Sequence, residues 1–149
     1  MKAYHIDSAA RTIEEVEYGT LADMRRFVGG YIEAAAMYPN GDTLYVDEEG
    51  LSKIPTGFFW VAGRTDQPMV GNGLYVGREV RGPHGFFTLR PGRPLDAVRE
   101  IVRFVSREQF DAWAKGNASE PAITITTGGT TEGGFRVGKP FSLLPRATD

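Results

Sequence analysis

Apolar and polar positions alternate from the first residues of the chain. Residues 2–7 and 11–18 alternate and contain β-formers, with Ser8-Ala9-Ala10 between them, and this pattern predicts a hairpin. The period then changes. Leu21, Met24, Phe27 and Val28 fall on one helical face. Thr20 stands in the N-cap position with Asp23 three residues on, a capping box with a short carboxylate. Gly29-Gly30 closes that helix, because glycine takes the left-handed cap conformation at little steric cost. Residues 31–38 and 43–47 read as strands on either side of Pro39-Asn40-Gly41-Asp42, and Asn-Gly is the strongest short hairpin signal.

Phe58-Phe59-Trp60-Val61-Ala62 is a short apolar run that reads as a buried strand. Residues 69–80 read as a strand with tight turns or a bulge, since Gly71, Gly73 and Gly77 bracket Leu74-Tyr75-Val76. Residues 81–94 read as loop around a short strand, Phe86 to Leu89. A helix is expected from Pro94 or Leu95, with Leu95, Val98, Ile101, Val102 and Val105 on one face. Ser106-Arg107-Glu108-Gln109 is a second capping box, opening a helix stopped by Gly116-Asn117. Residues 122–127 and 130–137 flank Gly128-Gly129 and predict a last hairpin. Together these elements predict an α+β fold, mainly antiparallel sheet with two to three helices packed on one face.

Composition adds exclusions. The chain has 149 residues, 41% of them hydrophobic, and no cysteine. A disulfide framework, a thiolate zinc site and a cysteine nucleophile are therefore excluded, and the composition fits a reducing cytoplasm. No stretch approaches the roughly 18 apolar residues of a membrane span, so no membrane role is expected. The net charge of −2 is unevenly spread. Residues 1–54 sum to −5 and residues 78–107, with seven arginines, to +4. Such asymmetry makes a local positive field even when the total is near zero.

The front of the chain resembles a known family. Met1-Lys2-Ala3 with Ile6-Asp7, Val28-Gly29-Gly30-Tyr31-Ile32-Glu33, Leu44-Tyr45-Val46 with Glu48-Glu49-Gly50, and Gly71-Asn72-Gly73-Leu74-Tyr75-Val76-Gly77 are similar to short members of a domain-of-unknown-function family common in phage and plasmid proteomes. The likeness covers about residues 1–80, an α+β core, and leaves 81–149 as an extension of two helices and a hairpin, packed with it as one unit. It implies a small cytoplasmic protein of a mobile element (in the host cytoplasm if phage-encoded), accessory or counter-defence in role, and it implies no activity.

Candidate chemistry centres on arginine, which is thirteen of the seventeen basic residues. Arg99, Arg103 and Arg107 are spaced i, i+4, i+8 and would line one helix face opposite the apolar stripe, if the helix ran that far. Arg78, Arg81, Arg90 and Arg93 approach from the preceding loops. The planar guanidinium fork donates two hydrogen bonds to phosphate or carboxylate. The plainer reading is a solvated face with Asp96–Arg99 and Glu100–Arg103 as local pairs. Asn72 and Tyr75, framed by glycines, are weaker candidates.

Other motifs give less. Asp42, Asp47, Glu48 and Glu49 lack the spacing of a calcium loop and read as a solvated turn. His5 and His84 have no metal-ligand spacing, no serine sits in a Gly-x-Ser-x-Gly elbow, and no glycine run opens a nucleotide-binding helix. The expectation is a non-enzymatic binding protein, without cofactor or metal, whose arginines hold a nucleotide or an acidic protein surface rather than duplex DNA. Two alternatives stand beside it. One is an enzyme acting on a phosphorylated metabolite, with Glu33, His5 or His84 as acid or base. The other is a homo-oligomeric scaffold built by pairing strand edges.

Overall fold

The two strands expected at the start do pair. In this computed structural model, which describes residues 1–63, 65 and 67–116, β1 (Lys2–Asp7) runs antiparallel to β2 (Thr12–Glu17), from Lys2 opposite Glu17 to Asp7 opposite Thr12. The Asp7 carboxylate closes the turn by accepting from the Ala9 and Ala10 N–H groups. Helix α1 (Leu21–Val28) starts on the anticipated capping box. Thr20 Oγ1 accepts from the Asp23 N–H at 3.1 Å, and the Asp23 carboxylate accepts from the Thr20 N–H at 3.2 Å. Gly29 ends the helix at φ 91°, a conformation that a side chain would strain. Strands β3 (Ile32–Met37) and β4 (Thr43–Asp47) then form the Asn-Gly hairpin, with a bulge at Ala35.

A later strand, β7 (Gly73–Val76), slots between β1 and β4 and completes a five-stranded antiparallel sheet in the order β2-β1-β7-β4-β3. Helix α1 therefore connects the two edge strands and crosses one face of the sheet. Val28, Met24 and Phe27 pack there on Ala3, Leu74 and Val76. Alternation sends the intervening residues Tyr4, Ile6, Leu44, Val46 and Tyr75 to the other face.

That other face meets a second sheet. β5 (Phe58–Val61) is buried at all four positions and pairs with β6 (Met69–Val70) on one side. On its other side lies β10 (Val102–Val105). Phe59 and Val61 face the five-stranded sheet, and Phe58 and Trp60 face outward. Gly73 lets the two sheets approach: a Cβ there would lie 2.8 Å from Phe59 Cζ. Helix α3 (Arg107–Ala114), opened by the expected Ser106 capping box, covers the outer side. Phe110 stacks on Phe58 with ring centroids 4.3 Å apart, and Trp113 meets Trp60 edge-on at 6.2 Å.

The structure corrects the reading of residues 94–107. Helix α2 (Leu95–Ile101) stops at Ile101, and Val102-Arg103-Phe104-Val105 are strand. The apolar spacing fits either period over so short a run. Pairing with Phe58–Val61 decides it, since Val102 and Phe104 are β-branched and aromatic and gain a whole ladder. The α+β class and the antiparallel sheet are as expected; the layering is not. The strands divide into two stacked sheets and a separate ribbon, and the helices lie on different layers. Helix α1 covers the five-stranded sheet, α3 covers the three-stranded one, and α2 buries Val98 in the core between them. The ribbon joins β8 (Glu79–Gly82) to β9 (Gly85–Thr88), where a loop around one strand was expected. The anticipated hairpin of residues 122–137 lies outside the described residues.

Candidate functional site

The break at Ile101 separates the three arginines that an unbroken helix would have aligned. Arg99 reaches to the sheet edge, where Nε and Nη2 both donate to the Ile13 carbonyl at 3.1 and 2.7 Å. Its longer contacts, 3.4 Å each, go to Glu14 and Asp96. Arg103 is half-buried, and its Nη1 donates to the Glu100 and Val102 carbonyls at 3.0 Å, covering the end of α2. Burial lowers its pKa, against the raising effect of Glu100. Arg107 ion-pairs with Asp111 at 3.3 Å and leans on Phe58. It lines a recess of about 340 Å³ with Arg11 and Ser8. These three side chains serve three different places.

The glycine-framed candidates are also held by the fold. Asn72 Oδ1 accepts from the Ser8 N–H at 3.0 Å. Tyr75 is buried in the central strand, and its hydroxyl donates to Asp42 at 2.7 Å. Burial first, then that hydrogen bond and the Asp42 charge, push the Tyr75 pKa far up. Nothing at neutral pH would ionise it.

Arg78 and Arg81 are placed differently. Both are exposed, and neither has an ion pair among the described residues. Arg78 immediately precedes β8 and rests its aliphatic stem against Gly41. Arg81 lies within β8 opposite Phe86, with its guanidinium 6.0 Å from the ring centroid. Registers Glu79–Thr88 and Arg81–Phe86 share one face of the ribbon, and Val80–Phe87 the other. Phe86 is 66% exposed and Phe87 49%. The ribbon makes no extended pairing with either sheet, so each face presents an aromatic ring to solvent. Residues 78–93 hold four arginines and one acid. At the base of the ribbon, Glu79 and Thr88 border a recess of about 450 Å³ whose walls include Tyr18, Met24, Tyr45 and Val76.

The Asp42 carboxylate was missed as a structural centre. It is 1% exposed, not part of a solvated turn, and Asp47 is buried too. Asp42 accepts from Tyr75, from the Gly92 and Arg93 N–H groups at 3.0 and 3.1 Å, and from Asn40. It thereby ties the segment after the ribbon to the β3–β4 turn. Asp47 accepts from Lys53 at 2.6 Å, and this bond raises the lysine pKa. No local signal marked Asp42, because its main-chain donors Gly92 and Arg93 come from the far side of the ribbon.

The residues named for acid–base work are not gathered. His5 Nε2 lies 2.9 Å from the Phe27 carbonyl and so must carry a proton there, on the α1 side of the sheet. Glu33 is opposite Val46, on the other side, and His84 is at the ribbon tip. Among the described residues no group of three or more His, Cys, Asp or Glu is arranged to hold a metal ion. No helix among them is long and apolar enough to cross a membrane.

Comparison with protein families gives a match to a domain of unknown function, DUF3846, over residues 1–88. The chain belongs to the DUF3846 family. The matched segment ends on Thr88, the last residue of β9, so the whole ribbon lies within the DUF3846 domain and α2, β10 and α3 follow it. Neither the curated proteins nor the solved structures provide a match to the DUF3846 chain.

Proposed function

We propose that this protein is a non-enzymatic binding protein and that the β8–β9 ribbon holds single-stranded nucleic acid. One observation carries the reading: exposed Phe86 and Phe87 stand on a ribbon beside Arg78 and Arg81, two cations without an ion pair among the described residues. An exposed ring stacks on a base, and guanidinium groups take the phosphates. A single strand suits the ribbon better than duplex DNA. Its bases are open to stacking, and the local excess of positive charge is small against a duplex that carries one charge per about 1.7 Å. Arg99 and Arg103 leave the binding surface in this reading, because Arg99 Nε and Nη2 and Arg103 Nη1 already donate to main-chain carbonyls. The likeness of the front segment to phage and plasmid proteins supports an accessory or counter-defence role for a mobile element, in the host cytoplasm.

The test is fluorescence anisotropy of the full chain with labelled single-stranded DNA and RNA oligonucleotides at several salt concentrations. Phe86→Ala is expected to weaken binding about tenfold, within the range of one lost stacking contact. Arg81→Gln should also flatten the salt dependence. Arg107→Gln, on a different recess, should change neither. Absence of binding at low salt, or equal losses in all three variants, would overturn the reading.

A further inference from the structure

The five-stranded sheet ends on β3, and among the described residues β3 pairs with β4 alone. Its ladder shows which groups are left over. The Tyr31 carbonyl accepts from the Glu48 N–H and the Tyr38 N–H donates to the Asp42 carbonyl, each at 2.9 Å. Antiparallel pairs alternate between bonded and non-bonded. Counting from both ends to the bulge at Ala35, the main-chain groups of Ile32, Ala34 and Met37 point away from β4. Such an edge is a template for another strand unless it is blunted. β3 has no lysine and no proline; its one irregularity is the bulge at Ala35, and Ala34-Ala35-Ala36 put little bulk in the way. Met37 is 71% exposed.

A recess flanks this edge on each face of the sheet. On the Glu33 side a recess of about 330 Å³ is lined by Ala35, Val46, Met69 and Val70, with Glu48 also on its wall. Glu33 and Glu48 are exposed and have no ion pair among the described residues. On the α1 side, Ile32, Met37, Leu21 and Met24 border the recess of about 450 Å³ described above. An added strand would send alternate side chains to these two faces. One face asks for a cation, the other for an apolar group.

We infer that β3 receives an extended peptide of a partner protein as a sixth strand, one that alternates basic and apolar side chains. Main-chain bonds to Ile32, Ala34 and Met37 supply the grip, and the two recesses supply the selection. The acidic residues point to a basic peptide over a second copy of this chain, which would bring the same uncompensated carboxylates onto one face. The inference is independent of what the ribbon holds.

The experiment uses the full chain and a fluorescein-labelled six-residue peptide of alternating lysine and valine, matched to β3 in length. Saturable binding is expected. Glu33→Lys with Glu48→Lys should weaken it about tenfold, the effect of reversing one cross-strand charge and a second charge one strand further in, and should let the matching glutamate–valine peptide bind instead. Methylating alternate peptide amides, which leaves the protein and the side chains unchanged, should abolish binding. Ala34→Pro should do so as well, since it removes an outward N–H that the sheet itself does not use. Failure of the lysine–valine peptide to bind, or equal binding of its methylated form, would overturn the inference. So would a homodimer in native mass spectrometry that Ala34→Pro dissolves, because a second copy would then hold the edge.

Discussion

Along β2 the Ile13 carbonyl accepts two hydrogen bonds from Arg99, α2 lies against the strand, and Glu14, Glu15 and Glu17 project from it. Along β3, at the opposite edge of the same sheet, three of the four interior positions are alanines, α1 touches the strand, and no side-chain donor takes an outward carbonyl among the described residues. The backbone chemistry of the two edges is identical, so the difference lies in the side chains. One edge is closed by charge and by a guanidinium that takes a main-chain acceptor. The other is fastened near its ends, by Asp42 at the turn and by the Lys53–Asp47 pair beside Gly29. Among the described residues, then, the sheet is finished on one side and left open on the other, which gives it a direction in which it can grow.

The largest effect should come from loosening the open flank at its anchor. Asp42→Ala strands the Tyr75 hydroxyl and two main-chain donors, and should lower unfolding free energy by about 3 kcal/mol or more in urea titrations. A loss under about 1 kcal/mol would mean that water replaces the carboxylate and that the turn is not an anchor. Next is the closed flank. Arg99→Ala should cost about 1 to 2 kcal/mol, nearly all of it from the bonds to Ile13, because exposed ion pairs add little. Hydrogen exchange should then quicken in β2 and stay unchanged in β3; unchanged β2 exchange would remove Arg99 as the cause of the contrast.

Helix α1 links the two edges, and its start can be weakened in two ways. Thr20→Ala should cost about 1 kcal/mol, the usual worth of an N-cap. Acid should act at the same place. The Asp23 carboxyl is held down to about 2 by the Gly19 N–H first, then by Arg26 and the Thr20 N–H. Its folded-state pKa lies below the ordinary 3.8, so its contribution is whole above that value and is lost as pH falls through about 2. Circular dichroism of Asp23→Asn should lack that acid-dependent step. The smallest effect is expected at the open edge itself. Ala34→Thr should change stability by less than about 0.5 kcal/mol, as an exposed position without partners does.

The parts legible from the amino-acid pattern were those decided within a few residues. Both capping boxes, the Asn-Gly turn and the opening hairpin depend on neighbours three or four positions away, and all formed. Residues 102–105 depended on β5, some forty positions earlier, and their apolar spacing suited a helix as well as a strand. The ribbon hid behind Gly82-Pro83-His84-Gly85, which reads as loop until Val80 and Phe87 are seen to pair. The arginine spacing was legible only on the assumption of a continuous helix, and it dissolved with that helix. Asp42 was hidden for another reason: a carboxylate beside a turn is ordinarily wet, and only the three-dimensional fold brings Gly92 and Arg93 to it.

β10 lies beyond the segment that matches the family, yet it borders β5 within it. A chain stopped at Thr88 would strip β5 of its longer neighbour and, with α3 gone, would bare Phe58 and Trp60 to water. Anyone grafting this module into another protein should therefore keep at least the chain through the α3 cap at Lys115 and Gly116, because the sequence boundary of the family runs through the middle of a sheet.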